Sequence, residues 1–254
     1  MNCKFEDLRG KHVFITGGGA GIGAYLTDGF LAQGAKVSFV QRSDASEFVA
    51  QQQEKHGTAP KFIKCDLTDI GAVQAAMSEA QDAFGDIDVL VNNAGNDTRH
   101  TLADYSVEDW DFNHAVNLRP YFFTTQFAAP FMKRNGGGAI INFSSASYMM
   151  GNSGYPAYVA ANAGITGLTR ALARELGPEK IRVNALVPGW VLTDKQLEMW
   201  ANPEDLEEHM KKQCLKEYIK PEDMIGGTLF LASNASRMMT GQVIVIDGGV
   251  VVTG

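Results

Sequence analysis

Cysteine is scarce in this chain. Only Cys3, Cys65 and Cys214 occur among its 254 residues. They are too few and too scattered for a disulfide framework or a metal knuckle. The expectation is reduced thiols, a cytoplasmic protein and no bound metal. Excess positive charge is lacking as well: 22 lysines and arginines stand against 29 aspartates and glutamates, a net charge of −7. That argues against nucleic acid or an anionic membrane as a main partner, while leaving room for a local basic pocket. No apolar run is long enough for a membrane span. The opening Met1-Asn2-Cys3-Lys4-Phe5-Glu6-Asp7 has no signal-peptide core. No linker, repeat or low-complexity stretch interrupts the sequence, so a single domain over residues 1–254 is expected.

Glycine, by contrast, is concentrated where it is informative. Thr16-Gly17-Gly18-Gly19-Ala20-Gly21-Ile22-Gly23 follows the apolar run His12-Val13-Phe14-Ile15. It precedes Ala24-Tyr25-Leu26-Thr27-Asp28-Gly29-Phe30-Leu31, whose apolar positions recur at helical spacing. Strand, glycine turn and helix in that order make a phosphate site. Glycine permits unusual dihedrals and close backbone approach. The helix start then points free N–H groups and a positive dipole end at an anion, a pyrophosphate being the natural occupant. A ligand-free turn would need fewer glycines than those at 17, 21 and 23.

The rest of the chain alternates. Apolar, β-branched runs at 12–16, 36–40, 62–65, 89–92, 139–143, 182–187 and 242–246 read as strands. Helical stretches lie between them, among them 70–84, 107–134, 157–176 and 222–232. Short, nearly all-apolar strands suit a parallel sheet covered on both faces. The fold class expected is α/β, a doubly wound sheet of seven parallel strands with right-handed crossovers. Residues 193–215 break the rhythm: they are polar and helical in propensity, with no strand before the next helix. They follow the sixth strand, at the carboxyl edge where such sheets hold ligands, and are expected to form a lid.

Several residues gather at that edge. The fourth strand runs into Asn92-Asn93-Ala94-Gly95 and the fifth into Ser144-Ser145-Ala146-Ser147. Pro156 suits a first helical turn, which places Tyr158 early in the same helix, near Ser145. Asn162 is four residues on and shares its face. Taken singly these have plainer readings, Tyr158 as a packing tyrosine and the serines as turn formers.

Together they resemble the short-chain dehydrogenase/reductases, in the short single-domain branch, over the whole chain. Thr16–Gly23 looks like that family's glycine motif, Asn92-Asn93-Ala94-Gly95 like its fourth-strand motif, and Pro188-Gly189-Trp190 like its Pro-Gly turn. Asn117, Ser145 and Tyr158 fall at its catalytic positions. Segments 92–100, 170–178 and 213–216 look most like bacterial aldose 1-dehydrogenases of the D-xylose and L-arabinose type. The resemblance implies a Rossmann-type fold, a nicotinamide dinucleotide and a homotetramer packed through 107–134 and 157–176. It implies hydride transfer, with Tyr158 taking the hydroxyl proton, Ser145 bonding the reacting oxygen and Asn117 holding a water or the helix geometry behind Tyr158. For an aldose the product would be a lactone.

By the same resemblance the cofactor would meet Gly17, Gly19, Gly21, Ile22, Gly23, Arg42, Ser43, Asp66 and Leu67 on its adenosine and phosphate side. At the nicotinamide side it would meet Asn93, Ala94, Gly95, Tyr158, Asn162, Pro188, Gly189, Val191 and Thr193. Asp66 is also readable as an ordinary helix cap. The second strand ends in Gln41-Arg42-Ser43 with no carboxylate. Arg42 and Ser43 suit a 2′-phosphate, so NADP is expected, with NAD the alternative. Substrate contacts are expected from Asn96, Asp97, Arg99, Ser145, Ser147, Asn152, Trp190 and Gln196, a polar set suited to a polyol. Arg99 is readable either as a binder of a sugar-acid carboxylate or as a structural ion pair. One position departs from the family: its Tyr-x-x-x-Lys reads Tyr158-Val159-Ala160-Ala161-Asn162 here. Asn162 can hydrogen-bond a ribose but carries no charge. Two functional classes follow, a sugar, polyol or sugar-acid dehydrogenase and a nucleotide-binding protein with impaired catalysis.

Overall fold

A computed structural model describes residues 4–252; Cys3 lies outside them. In chain order the elements are β1 (His12–Thr16), α1 (Gly21–Ala32), β2 (Lys36–Gln41), α2 (Ser46–His56), β3 (Lys61–Lys64), α3 (Ile70–Phe84) and β4 (Val89–Asn92). Next come α4 (Val107–Asn117), α5 (Arg119–Arg134), β5 (Gly138–Phe143), α6 (Ser147–Met150), α7 (Pro156–Leu176) and β6 (Ile181–Pro188). The chain closes with α8 (Asp194–Met199), α9 (Pro203–Lys212), α10 (Asp223–Ala232) and β7 (Val243–Ile246). The strands form one parallel sheet in the order β3-β2-β1-β4-β5-β6-β7.

Alternation along each strand explains why the strands are almost wholly apolar. Val13 and Ile15 of β1 join one core with Leu26 and Phe30 of α1 and Met224 and Leu229 of α10. Phe14, between them, joins the other core with Val73 and Met77 of α3, Met132 of α5 and Leu172 of α7. Both faces of the sheet are covered, as period-two side-chain alternation requires. Strand order reverses between β1 and β4, so the loops leaving their carboxyl ends diverge and open a crevice. Just beneath it a satisfied polar chain crosses the core. Thr124 Oγ1 donates to Asn92 Oδ1 (2.7 Å), Asn92 Nδ2 to Asn142 Oδ1 (2.9 Å) and Asn142 Nδ2 to Thr169 Oγ1 (3.0 Å). It ties the ends of β4 and β5 to α5 and α7.

At the amino edge, His12 is buried, with Nδ1 2.7 Å from the Gly85 carbonyl and Nε2 2.7 Å from Ser38 Oγ. Burial pulls its pKa below the ordinary 6.5, outweighing the Gly85 bond and Asp88. Cys65 and Cys214 are free thiols; burial pushes Cys65 up to about 11. Among the described residues no helix is long and apolar enough to cross a membrane.

Two expectations need correction, the single helix over 107–134 and Asp66 as a helix cap. The helical stretch 107–134 is two helices, broken at Leu118 (φ −127°, ψ −50°). Pro120 lies in the first turn of α5, where its missing N–H costs nothing; inside one long helix it would have broken the ladder. Segment 193–215 contains α8 and α9, in keeping with its helical propensity, and residues flanking it pair where Val191 bridges Ile219. The helix cap after β3 is Asp69, which accepts the Ala72 N–H at 3.0 Å, and not Asp66. Asp66 instead closes a short turn, accepting from Thr68 N (2.9 Å) and Thr68 Oγ1 (2.8 Å).

Candidate active site

The crevice is an open cleft of about 1240 Å³ running from Arg42 and Asp66, past Gly17 and Gly21, to Tyr158 and the α8–α9 segment. Its floor is the glycine turn. Gly17 adopts φ 70°, a conformation side chains resist. The β4 motif braces that turn: Thr16 Oγ1 accepts from Asn93 N (2.9 Å) and Ala94 N (3.1 Å), and Asn93 Nδ2 donates to the Thr16 carbonyl (3.1 Å). Gly19 and Gly23, expected as cofactor contacts, do not line the cleft. A side chain on Gly23 would overlap the Gly17 carbonyl, and one on Gly19 would meet Gln41 and Phe39. Both glycines serve packing between turn, helix and β2. Ala20, before α1, offers no side-chain cap, so the N–H groups of the first turn are left to the cleft.

At the far end, Gln41 fills the place after β2. Its Oε1 accepts the Gly19 N–H (2.9 Å), and its Nε2 donates to Ser43 Oγ (3.1 Å). Arg42 is exposed beside Asp66. The Thr68 backbone and hydroxyl bonds, with a smaller contribution from Arg42, hold the Asp66 carboxyl below its usual range.

The reaction end is built by α4, β5 and α7. Asn117 is the last residue of α4 and is buried. Its Oδ1 accepts the Asn96 N–H (2.7 Å) and its Nδ2 donates to the Asn96 carbonyl (3.0 Å), clamping the loop after β4. Pro156 starts α7 and puts Tyr158 in its first turn, in the cleft beside Ser145. Ser145 Oγ accepts the Ser147 N–H at 3.2 Å. Burial pushes the Tyr158 hydroxyl up to about 12, and the charge of Asp97 adds to this; Ser145 and Asn162 oppose it less strongly. Asn162 is buried, and its Nδ2 donates to the Tyr158 carbonyl one turn back (2.9 Å). Its backbone carbonyl accepts from Ser144 Oγ (2.9 Å), fastening α7 to the end of β5.

The other expected substrate residues all line the cleft, but several are already engaged. Gln196 Oε1 accepts from Trp190 Nε1 (3.0 Å), and Gln196 Nε2 donates to Asp97 Oδ2 (2.8 Å). Asp97 also pairs with Lys195 at 2.9 Å, which latches the loop after β4 to α8. Asn96 Oδ1 accepts from Thr98 Oγ1 (3.1 Å), and Asn152 Nδ2 donates to the Tyr155 hydroxyl (3.1 Å). The Arg99 guanidinium stacks 3.8 Å over the Tyr155 ring and 5.1 Å from Trp200, with Asp97 at 4.0 Å. Of its two expected roles, the structural one fits this packing. Ser147 Oγ is buried and finds no partner among the described residues. Sequence reasoning missed Trp200 and His209, which also line the cleft. Nothing local flags them, since a tryptophan just after one short polar helix and a histidine on the next look like surface residues.

A family model described as enoyl-(acyl carrier protein) reductase matches residues 17–251. The chain belongs to the short-chain dehydrogenase/reductase family, whose members are oxidoreductases. It is 45% identical over 98% of its length to a candidate galactose dehydrogenase, GalD, of Rhizobium meliloti strain 1021, covering 98% of that protein. It is 48% identical over 96% of its length to the D-xylose 1-dehydrogenase of Caulobacter vibrioides, covering 97% of it. A solved structure of a candidate short-chain alcohol dehydrogenase from Sinorhizobium meliloti 1021 superposes with a TM-score of 0.92 at 31% identity, over 97% of this chain and 98% of that one. The residues present fit the family's nicotinamide dinucleotide. An uncapped helix start faces the cleft behind a braced glycine turn, with a cation at one end and a tyrosine at the other.

Proposed function

We propose that this protein oxidises the anomeric hydroxyl of an aldose to a lactone, with NADP preferred over NAD. The observation that carries the reading is the convergence of Tyr158 and Ser145 at the end of the cleft opposite Arg42, in a chain related to galactose and xylose dehydrogenases. A bound nicotinamide supplies the hydride acceptor. Tyr158 Oη, once ionised, takes the proton of the sugar hydroxyl, and Ser145 Oγ donates a hydrogen bond that fixes the reacting oxygen. Asn117 holds the Asn96 loop and so the wall behind Tyr158. Arg42 and Ser43, with no carboxylate between them, are the groups for a 2′-phosphate. Segment 193–215 acts as a lid hinged near Val191 and Ile219. Arg99 and Lys195 are occupied by Tyr155 and Asp97, which favours a neutral sugar over a sugar acid.

A homotetramer is supported by apolar side chains exposed along α4 and α5, among them Trp110, Phe112 and Phe122. A second reading, a nucleotide-binding protein with little catalysis, rests on the uncharged Asn162. The test is a panel of pentoses, hexoses and sugar acids, assayed for reduced nicotinamide with each cofactor. Aldose turnover that vanishes in Tyr158→Phe supports the dehydrogenase. NADP binding without turnover of any alcohol supports the second reading.

A further inference from the structure

The helix that carries Tyr158 begins without a cap of its own. Helices α3, α4, α8 and α9 each start on a side chain that accepts an N–H of the same first turn: Asp69, Ser106, Thr193 and Asn202. Tyr155, in that place before α7, makes no such bond. Pro156 has no N–H to satisfy, so Ala157 carries the first donor of the turn. Its partner comes from the loop after β4. Ala157 N donates to His100 Nε2 at 3.3 Å, across 57 residues of sequence.

Other contacts hold His100 in that place. Its backbone N–H donates to the Gly154 carbonyl (2.8 Å), two residues before α7. Its ring lies flat on Tyr105, with 3.6 Å between centroids and 14° between planes. Its Nδ1 is 3.2 Å from the Thr98 carbonyl. A backbone amide only donates and a carbonyl only accepts, so these partners put the ring proton on Nδ1 and leave the Nε2 lone pair for Ala157. Asn117 clamps the same loop at Asn96. Residues 96–105 therefore join the end of α4 to the first turn of α7. His100 itself is not part of the cleft lining, whereas Gly154, Tyr155 and Tyr158 are. Any effect it has on the reaction passes through α7.

We infer that His100 is a positioning residue for Tyr158: it caps α7 from outside the helix and sets where the tyrosine's turn stands against Ser145. The catalytic consequence rests on the sugar-dehydrogenase reading; the cap does not. Proton transfer needs Tyr158 Oη within hydrogen-bond reach of the sugar hydroxyl, and a small misplacement of a reacting group lowers the rate steeply. Loss of the cap lets the first turn of α7 fray, so the effect falls on turnover, with sugar and cofactor affinity little changed.

The test compares three substitutions. His100→Phe keeps the ring on Tyr105 and loses the acceptor. His100→Asn stays polar but is too short to reach Ala157. His100→Gln brings an acceptor oxygen to the position of Nε2. Two measurements are made on each: kcat and KM for the best aldose of the panel at saturating NADP⁺, and amide hydrogen exchange at Ala157 in the protein free of sugar and cofactor. In the phenylalanine and asparagine variants kcat is expected to fall roughly three- to thirtyfold, the range of one helix cap felt in full at the transition state. KM and NADP⁺ affinity should hold, and Ala157 exchange should accelerate. His100→Gln should recover most of both. If the phenylalanine variant does not fold, the asparagine and glutamine pair carries the comparison. An unchanged kcat in His100→Asn, a glutamine variant no better than the asparagine one, or a lower kcat with Ala157 exchange unaltered overturns the inference alone. Absence of aldose turnover in the parent protein overturns the functional reading, and Ala157 exchange then still decides whether His100 is the cap.

Discussion

At the scale of single residues, the polar groups of the cleft differ in what they still have to give. Arg42 is exposed at the cofactor end and makes no ion pair among the described residues, so its charge is available to a ligand. Arg42→Ala is expected to weaken NADP binding about tenfold and leave NAD nearly unchanged, as measured by cofactor titration. Equal losses for both cofactors would remove the basis for an NADP preference. His12 works differently, because its ring is held neutral between Gly85 and Ser38. Its folded pKa is lowered, so below the ordinary 6.5 the unfolded chain binds a proton that the folded chain refuses. Stability is therefore full above pH 6.5 and is lost as pH falls through the folded value. Urea midpoints measured from pH 8 to pH 5 should show that decline, and His12→Asn should flatten it in part. His209, also lowered by burial, contributes in the same window. That Asn117, Ser145 and Tyr158 meet at one end of the cleft was legible in sequence through the family resemblance, which implies catalytic roles for them. Trp200 and His209 were not, because an orphaned ring nitrogen is a property of packing that no local pattern records.

At the scale of elements, the strands and most helices follow from local rules. Apolar alternation marks a two-sided strand, and Pro156 marks the start of α7. The break at Leu118 was hidden because residues 107–134 keep helical periodicity across it, although Pro120 was a local sign. The break ends α4 at Asn117, whose amide then reaches the Asn96 backbone. The 193–215 segment was legible as an insertion at the carboxyl edge, but not its latch. Asp97 holds Lys195 and Gln196 across 98 and 99 residues of sequence, a separation invisible to any window. Hydrogen exchange should find α8 and α9 less protected than the sheet, and slower to exchange once cofactor and sugar are bound. Unchanged exchange throughout 193–215 would contradict a lid.

At the scale of the whole molecule, one parallel sheet gathers the glycine turn, Tyr158 and the 193–215 segment at a single edge, and the order of its strands puts the crevice between β1 and β4. What the fold supplies in position it withholds in charge. Tyr158 is pushed up to about 12 by burial and Asp97, and Asn162, whose amide donates to the Tyr158 carbonyl, opposes this only weakly. At that value roughly one tyrosine in a hundred thousand is ionised at pH 7. A cation about 5 Å away, at an effective dielectric near 20, would favour the phenolate by roughly 3 kcal/mol, or about two pKa units. The decisive experiment is kcat against pH for the protein and for Asn162→Lys, each with NADP and a saturating aldose chosen from the panel. The protein should be slow at pH 7 and still accelerating beyond about pH 10. Asn162→Lys should be roughly ten- to a hundredfold faster at pH 7, with its rising limb about two units lower. A protein already fast at pH 7, or a lysine variant no faster, would contradict proton transfer limited by the ionisation of Tyr158.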